Sequence, residues 1–580
     1  MRKIFLFLIL VIAIFFRFNH LNWDQNFHLH PDERFLTMVV QAMRLPQSFE
    51  EYFNQKKSLL NPPNIGFNFY VYGIFPLVLT KYLAVNFGMD NYNEITILGR
   101  FLSAFFDFLT VILVYKTTKL LLKKFKNVSS SLFHVIPLLA AFFYAISVYP
   151  IQAAHFFTTD PFLNFFMFGS FYFILKNFEV DRFLYLMFSS LFFSLALSSK
   201  ISALYILPLN LGVLFLIVIF KKGNFIKKVS RYLLIVSSYL LFSYLFLRIF
   251  NPYYFENPWF FDFSLNKNFY QSIELLKTLT TKNAWYPPAV QWINKPWYGL
   301  LLTTFLVGLG PINFIVVLIG LVSLMRNLEL KIKNEKLQLK IKNFIIFLII
   351  FWVLGYFIYQ SSQFVKSIRY TIYLYPFFAI FGGVGISIIN NLIKKNLFIN
   401  YVTRYTLYFI LLLWPLLFST IYFHPHTRIL ASEWIYKNLE SNSVILGEHW
   451  DDPLPLPMEK NFGKFFQVEL LPVFDPDTSE KWQKIRQLLQ KADYYVLSSN
   501  RGWGSIPTVP SRYPLMSQYY QALLNDNCEK QRKLTGYCFK KIKIFEPYYY
   551  QFIKYPESLV EETFTVYDHP TVIVLKKFDI

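Results

Sequence analysis

The sequence contains no glycine-rich nucleotide loop and no Gly-x-Ser-x-Gly elbow. The first absence leaves no sign of a nucleotide-activated donor. The second removes the strand-to-helix seat of a serine nucleophile. Metal-ligand sets are missing as well: His28 and His30 in "HLH", and His424 and His426 in "FHPHT", stand without convincing partners. No internal repeat of fixed period and no low-complexity linker occurs. No small-residue cleavage site follows the first apolar run, so residues 4–18 read as an uncleaved anchor rather than a signal peptide. Cysteine is almost lacking. Cys528 and Cys538 are the only two, and in an exported domain they form either a disulfide or a pair of free buried thiols.

What the chain does have is apolar length. Of its 580 residues 55% are hydrophobic and 21% aromatic. Runs long enough to cross a hydrocarbon core recur along it, the pattern of a polytopic membrane protein. Such runs must be helical, because lipid offers no partner to an open backbone amide. Lysine and arginine number 57 against 35 acids, a net charge of +22. Their placement argues against nucleic acid as a partner. They crowd into short loops at 116–126, 221–231, 326–342 and 394–395, directly against apolar segments, as expected of loops held at the cytoplasmic face. The stretch "LELKIKNEKLQLKIKN" fits an amphipathic segment on the membrane surface.

Taking those loops as cytoplasmic fixes the path, with the N-terminus inside. About eleven crossings are expected, near 4–18, 97–121, 131–150, 160–176, 183–198, 201–220, 231–250, 298–325, 343–359, 370–390 and 403–422. A crossing at 71–87 would invert every later basic loop, so that stretch is expected to be a juxtamembrane or re-entrant helix at the outer interface. The loops 19–96, 151–160, 251–297 and 360–369 then face outward. The tail 423–580 joins them there. Strand-like runs "SVILGEHW", "YYVLSS" and "TVIVLKK" alternate in it with helical patterns such as "SEKWQKIRQLLQKA", which predicts an extracytoplasmic α/β or α+β domain. The expected architecture is a transmembrane, catalytic-type unit over 1–422 and a soluble unit over 423–580.

Four groups of polar residues fall at the outward ends of apolar runs. The first is "HPDERF", where Asp32 and Glu33 suit a general base and a helper, or a helix start aided by Asp32. The second is "AAHFFTTDPFLNFF", with His155 and Asp160; Asp160 either orients a substrate hydroxyl or caps a helix begun by Pro161. The third is Lys200 in "LALSSKISALYIL", which either meets an anionic head group or snorkels to the interface. The fourth is "QFVKSIRYTIYLYP", with Lys366 and Arg369. A cation on the outer side runs against the positive-inside bias, and the planar fork of arginine suits phosphate. Anchoring beside Tyr370 and Tyr373 is the plainer alternative. Acids and cations on one side supply the ingredients for base-assisted displacement from a lipid phosphate.

With these residues the sequence resembles polytopic, lipid-carrier-dependent glycosyltransferases of the GT-C superfamily, in the protein O-mannosyltransferase and aminoarabinose transferase branch. The match rests on "HPDERF", "GRFLSAFFDFLTVILVYKTTKLL", "AAHFFTTDPFLNFF", "SSKISAL" and "SIRYTIYLYP", in the family's order. It covers most of 1–422 and, more loosely, tail pieces including "SSNRGWGSI" and "TFTVYDHPTVIVLKK". The resemblance implies transfer of a sugar (hexosyl or pentosyl) from a polyprenyl-phosphate carrier, usually with inversion, at the outer face of the cytoplasmic membrane. The acceptor is a protein, lipid or glycan. By position, Asp32 resembles the catalytic base, Glu33 its partner acid and Asp160 the acid of the second outer loop. Arg369 matches the arginine that holds the carrier phosphate, and Lys200 and Arg100 are further phosphate candidates. His155 and His30 complete the candidate binding set. No cofactor is required, and a divalent cation between acids is compatible. The sequence departs from the family in placing Arg34 directly after the acid pair and in its tail. Two other classes stay open: a lipid or glycan transporter or flippase, which predicts charge near mid-span, and a non-catalytic scaffold carrying an exported binding domain.

Overall fold

The computed structural model describes residues 2–122, 130–284, 286–331, 337–393 and 397–578. The basic positions at 123–126, 332–336 and 394–395, and with them the middle of the amphipathic surface segment, lie outside the described residues.

Each expected crossing coincides with a helix or a helix pair. Six helices are long and apolar enough to span a membrane, and up to eight if each of two bent pairs counts as one span. The bent pairs sit at two of the expected crossings. Val135–Ala145 and Val148–Ala154 meet at 56°, and Gly299–Gly308 meets Pro311–Arg326 at 112°. The second break lies at Gly310, whose positive φ of 83° an L side chain rarely adopts, with Pro311 opening the next helix. Three expected crossings, Arg2–Phe18, Asp160–Val180 and Phe183–Leu197, do not meet that length and hydropathy measure. The helix Asp160–Val180 is instead packed inside the bundle, with an almost unbroken run of buried positions in its first half. The chain is a polytopic α-helical membrane protein. Its helix Phe75–Phe87 has 13 residues, about 20 Å of rise, short of a hydrocarbon core of about 30 Å.

After the helix Leu397–Phe423 the chain forms a five-stranded mixed sheet of order β2-β1-β3-β5-β4. The strands are β1 (Val444–Glu448), β2 (Gln467–Leu471), β3 (Tyr494–Leu497), β4 (Phe539–Phe545) and β5 (Val572–Lys577). β1 pairs in parallel with β2 and β3, and the helix Ser479–Lys491 crosses between β2 and β3. β5 runs antiparallel to both β3 and β4. The domain is thus α/β on one side and antiparallel on the other. Cys528 and Cys538 are joined as a disulfide within it.

Two features attach this domain to the bundle. Arg34 donates through Nη2 to Asp452 Oδ1 at 2.8 Å and through Nε to the His28 carbonyl at 2.9 Å. It therefore reaches the sheet domain rather than neutralising the acids beside it. Residues 561–568 pack onto the bundle end: Glu561 accepts from Ser367 Oγ at 3.0 Å and from the Ile368 amide at 2.9 Å. Asp568 meanwhile accepts from Gln152 and Tyr422.

Candidate functional site

Five of the predicted side chains converge at the bundle end covered by the sheet domain. Each stands where a helix begins. His30 caps the helix Pro31–Ala42, its Nδ1 accepting the Glu33 amide at 3.2 Å, and Asp32 sits in the first turn behind Pro31. Asp160 opens its helix before Pro161. Lys200 precedes the 3-10 turn Ile201–Ile206. Arg369 lies in the turn Ile368–Leu374, whose cap Ser367 accepts the Arg369 amide at 3.2 Å. Helix starts place polar groups at the bundle end without interrupting the apolar spans.

Arg369 organises the cluster. Its Nε donates to Asp160 Oδ2 at 2.7 Å and its Nη1 to Asp32 Oδ2. Lys200 Nζ donates to the other Asp160 oxygen at 2.9 Å. Both Asp160 oxygens thus go to cations, and neither caps a helix. The third guanidinium nitrogen, Arg369 Nη2, is buried without a partner among the described residues. Asp32 remains reachable, with 33% of its side chain exposed against 3% for Asp160.

The electrostatics follow from this packing. Burial is the largest influence on Asp32 and pushes its carboxyl up, but the charge of Arg369, with His30 and Lys200, outweighs it and holds the group below its ordinary value. Burial would also discharge Arg369, yet Asp160 and Asp32 raise it well above its ordinary range. Lys200 moves the other way: burial lowers it more than Asp160 raises it. His30 is lowered by burial, and because its Nδ1 accepts a hydrogen bond the proton of the neutral ring sits on Nε2.

The cluster opens into a cavity of about 410 Å³ lined by His30, Asp32, Asp160 and Arg369. Tyr72, Tyr149, Gln152, Tyr286, Gln291 and Trp292 extend the wall, and the sheet domain contributes Glu561, Thr563 and Tyr567. The backbone closes tightly beside Lys200. The Gly73 and Phe75 amides donate to the Ser199 and Ser198 carbonyls, both at 2.9 Å, and a Cβ at Gly73 would overlap the Ser198 carbonyl.

Four predicted residues stand elsewhere. The Glu33 side chain is fully buried and turned from the cavity, accepting from Arg100 Nε at 2.9 Å, from Arg100 Nη2 and from the Phe157 amide at 2.6 Å. Arg100 spends its remaining donors on Asp24 at 2.8 and 3.0 Å and on the Leu21 carbonyl, which leaves it no open face for a phosphate. His155 lies between the Ile151 and Asn19 carbonyls and stacks on Tyr422 at 3.7 Å. Lys366 Nζ donates to the Phe364 carbonyl at 3.3 Å. Sequence reasoning missed Glu561 and Tyr567. They lie in the stretch "VEETFTVYDHP", two hundred residues beyond Arg369, and only the tail's likeness to other sequences marked that stretch.

For a metal, the donor set is short. The guanidinium of Arg369 occupies the place between Asp32 and Asp160. Among the described residues, no three His, Cys, Asp or Glu side chains are grouped to hold an ion. His28 faces Asn93 and Thr96, and His426 uses both ring nitrogens, accepting the Arg428 amide and meeting the Tyr567 carbonyl. In this structure these side chains are engaged by protein partners rather than grouped around an ion.

No family model and no curated protein matches this sequence. Solved structures do. The Archaeoglobus fulgidus oligosaccharyltransferase tethered with an acceptor peptide containing the NVT sequon superposes with a TM-score of 0.52 at 11% identity, covering 99% of this chain and 88% of that one. The same organism's AglB, in complex with an inhibitory peptide and a dolichol-phosphate, gives 0.51 at 13% identity over 89% and 72%. This chain shares the fold of that archaeal oligosaccharyltransferase. A further structure of the archaeal enzyme, in complex with Zn and sulfate, matches at a TM-score of 0.51. ArnT from Cupriavidus metallidurans superposes at only 0.39 with 12% identity, too loosely to relate individual residues.

Proposed function

We propose that this GT-C protein is a membrane glycosyltransferase. It moves a sugar from a polyprenyl-phosphate carrier to an acceptor at the outer face of the cytoplasmic membrane, with Asp32 as general base. One observation carries the reading: Asp32, Asp160 and Arg369, drawn from three separate segments, line one cavity at the bundle end, and Lys200 from a fourth pairs with Asp160 behind its wall. A fold neighbour solved with dolichol-phosphate supports the carrier class.

The chemistry follows from the ion cluster. At rest, Arg369 shares its charge between two acids and keeps Asp32 a weak base. A carrier phosphate presents oxygens to the unpartnered Nη2 and competes for the same guanidinium. As the guanidinium turns to phosphate, Asp32 loses its counter-charge and its proton affinity rises toward that of a buried carboxyl. Asp32 then takes the proton from the acceptor hydroxyl or amine as that atom bonds to the anomeric carbon. The bond from that carbon to the phosphate oxygen breaks, and polyprenyl phosphate leaves. Arg369 and Lys200 stabilise its developing charge, while Asp160 keeps both cations in place. Attack opposite the leaving phosphate inverts the anomeric centre. No step passes through a metal.

A transporter would place charges near mid-span, whereas these gather at one end. The decisive experiment reconstitutes the purified protein with lipid-linked sugars and measures free polyprenyl phosphate. Asp32→Asn is expected to slow release by about 10²- to 10⁴-fold while leaving the thermal unfolding midpoint in place. Absence of release by the unsubstituted protein, or equal release by Asp32→Asn, would falsify the reading.

A further inference from the structure

A second cavity, of about 200 Å³, lies next to the first. Gln291, Asn294, Lys295 and Pro296 form one side of it. The short helices Arg501–Ser505 and Ile506–Thr508 form another, and the segment from Glu557 to Glu562 closes it. Gln291 lines both cavities and its Oε1 accepts the Glu562 amide at 3.1 Å. The adjacent acids Glu561 and Glu562 therefore divide between them, one lining each cavity.

The polar accounting of this second cavity does not close. Glu562 is 6% exposed; its Oε1 lies 3.3 Å from Arg501 Nε, and its Oε2 is buried without a partner among the described residues. Glu557 repeats the pattern. Its Oε1 accepts from Tyr550 at 3.1 Å and Thr571 at 2.8 Å, and its Oε2 has no partner among the described residues. Lys295 does not fill the gap, because its Nζ donates to the Val560 carbonyl at 2.6 Å and the Ser558 carbonyl at 3.3 Å. Buried acceptors left open are unfavourable, so an occupant that brings donors is favoured. Burial raises both carboxyls, Glu562 to about 7, so the pair offers an anion no counter-charge and a cation little charge. Lys295 in the wall and Arg501 behind Glu562 disfavour a cationic one. A neutral molecule with several hydroxyls satisfies both conditions, and the amide and hydroxyl side chains of Asn294, Asn500, Ser505 and Thr508 suit it as well.

We infer that this second cavity is a subsite for a sugar unit of the acceptor, and that the acceptor of this protein is accordingly a saccharide. The inference rests on the glycosyltransferase reading and names its acceptor class. A chain of sugars threads past Gln291, one unit in the second cavity and the next presenting its hydroxyl to Asp32.

The test measures binding without any donor, on the full-length protein in nanodiscs. Saturation-transfer NMR is recorded with maltose, cellobiose and chitobiose, and with a hexapeptide in parallel. At least one disaccharide is expected to bind, and Glu562→Gln is expected to weaken it about tenfold, the size of one charged hydrogen bond. Gly504→Leu tests the same cavity by filling it. A Cβ at Gly504 approaches Asn500 Cβ at 3.3 Å, a contact relieved by a shift of a few tenths of an ångström. Failure of every disaccharide to bind, binding that neither substitution changes, or peptide binding that both substitutions weaken overturns the proposal. Disaccharide binding with no polyprenyl phosphate release in the donor assay would instead remove the glycosyltransferase reading and leave the saccharide site standing.

Discussion

At the scale of single residues, Arg100 shows how adjacency in sequence misleads. Asp32 and Glu33 are neighbours in a first helical turn, and successive residues on a helix point about 100° apart. Asp32 therefore faces the cavity while Glu33 turns inward to Arg100, which also holds Asp24 and lies 4.7 Å from the Trp23 ring. The sequence showed where Asp32, Asp160, Lys200 and Arg369 stand, because a charge at the end of an apolar run is conspicuous. It did not show which acid pairs with which base, since that depends on side-chain direction. Arg100 and Glu33 hold the loop carrying Asp32 from beneath. Arg100→Met would leave two buried carboxylates unpaired, at a cost of about 3–5 kcal/mol. A lower unfolding midpoint in detergent is expected, partly restored by adding Asp24→Asn and Glu33→Gln. An unchanged midpoint for Arg100→Met alone would remove Arg100 from this structural role.

At the scale of elements, the sheet divides cleanly between what its sequence announced and what it hid. β1, β3 and β5, the three inner strands, carry the apolar runs of strands covered on both faces. The two edges were not recognised. β2 is short and half-exposed, and β4 reads FKKIKIF, with lysines alternating along a rim. Edge strands are commonly guarded in this way by lysine, and the same guard removes the apolar signal by which strands are found. The inner strand β1 also carries a buried acid. Glu448 Oε1 accepts from the Tyr495 and Tyr520 hydroxyls, both at 2.6 Å, and burial raises its carboxyl to about 7. The folded state thus keeps a proton that the unfolded chain releases near its ordinary value of 4.5. The favourable protonated form is complete at low pH and is lost as pH climbs through about 7. Glu448 alone should therefore lower the stability of the sheet domain by on the order of 3 kcal/mol between pH 5 and pH 8, beside a share from Glu562, which burial also raises to about 7. Glu448→Gln should flatten that slope and raise the unfolding midpoint at pH 8. A variant whose midpoint still falls by the same amount over this range would show that another group titrates.

For the whole molecule, the two ends of the bundle have opposite characters. The site, the sheet domain and the helix starts at Asp32, Asp160 and Arg369 share one end. The far end is marked by contacts among the basic loops. Lys221 pairs with Asp181 at 2.8 Å, while Lys342 donates to the Leu120 carbonyl at 2.8 Å and lies 3.9 Å from Glu179. Leu120 and Glu179 close helices whose other ends lie near the cluster, so the loops around 120, 180, 221 and 342 are gathered together, away from Asp32. A single-sided accumulation of lysine beside apolar helices is what orients a membrane protein. On that ground we propose that the far end lies in the cytoplasm and the cavity outside it. Lys222→Cys should then react with a membrane-impermeant maleimide only after spheroplasts are lysed, and Glu459→Cys, on the sheet domain, should react before lysis. The reverse order would put Asp32 on the cytoplasmic side, where nucleotide-activated sugars are available, and the choice of a lipid-linked donor would lose its topological support. Labelling of both positions from one side would contradict the separation of the two ends.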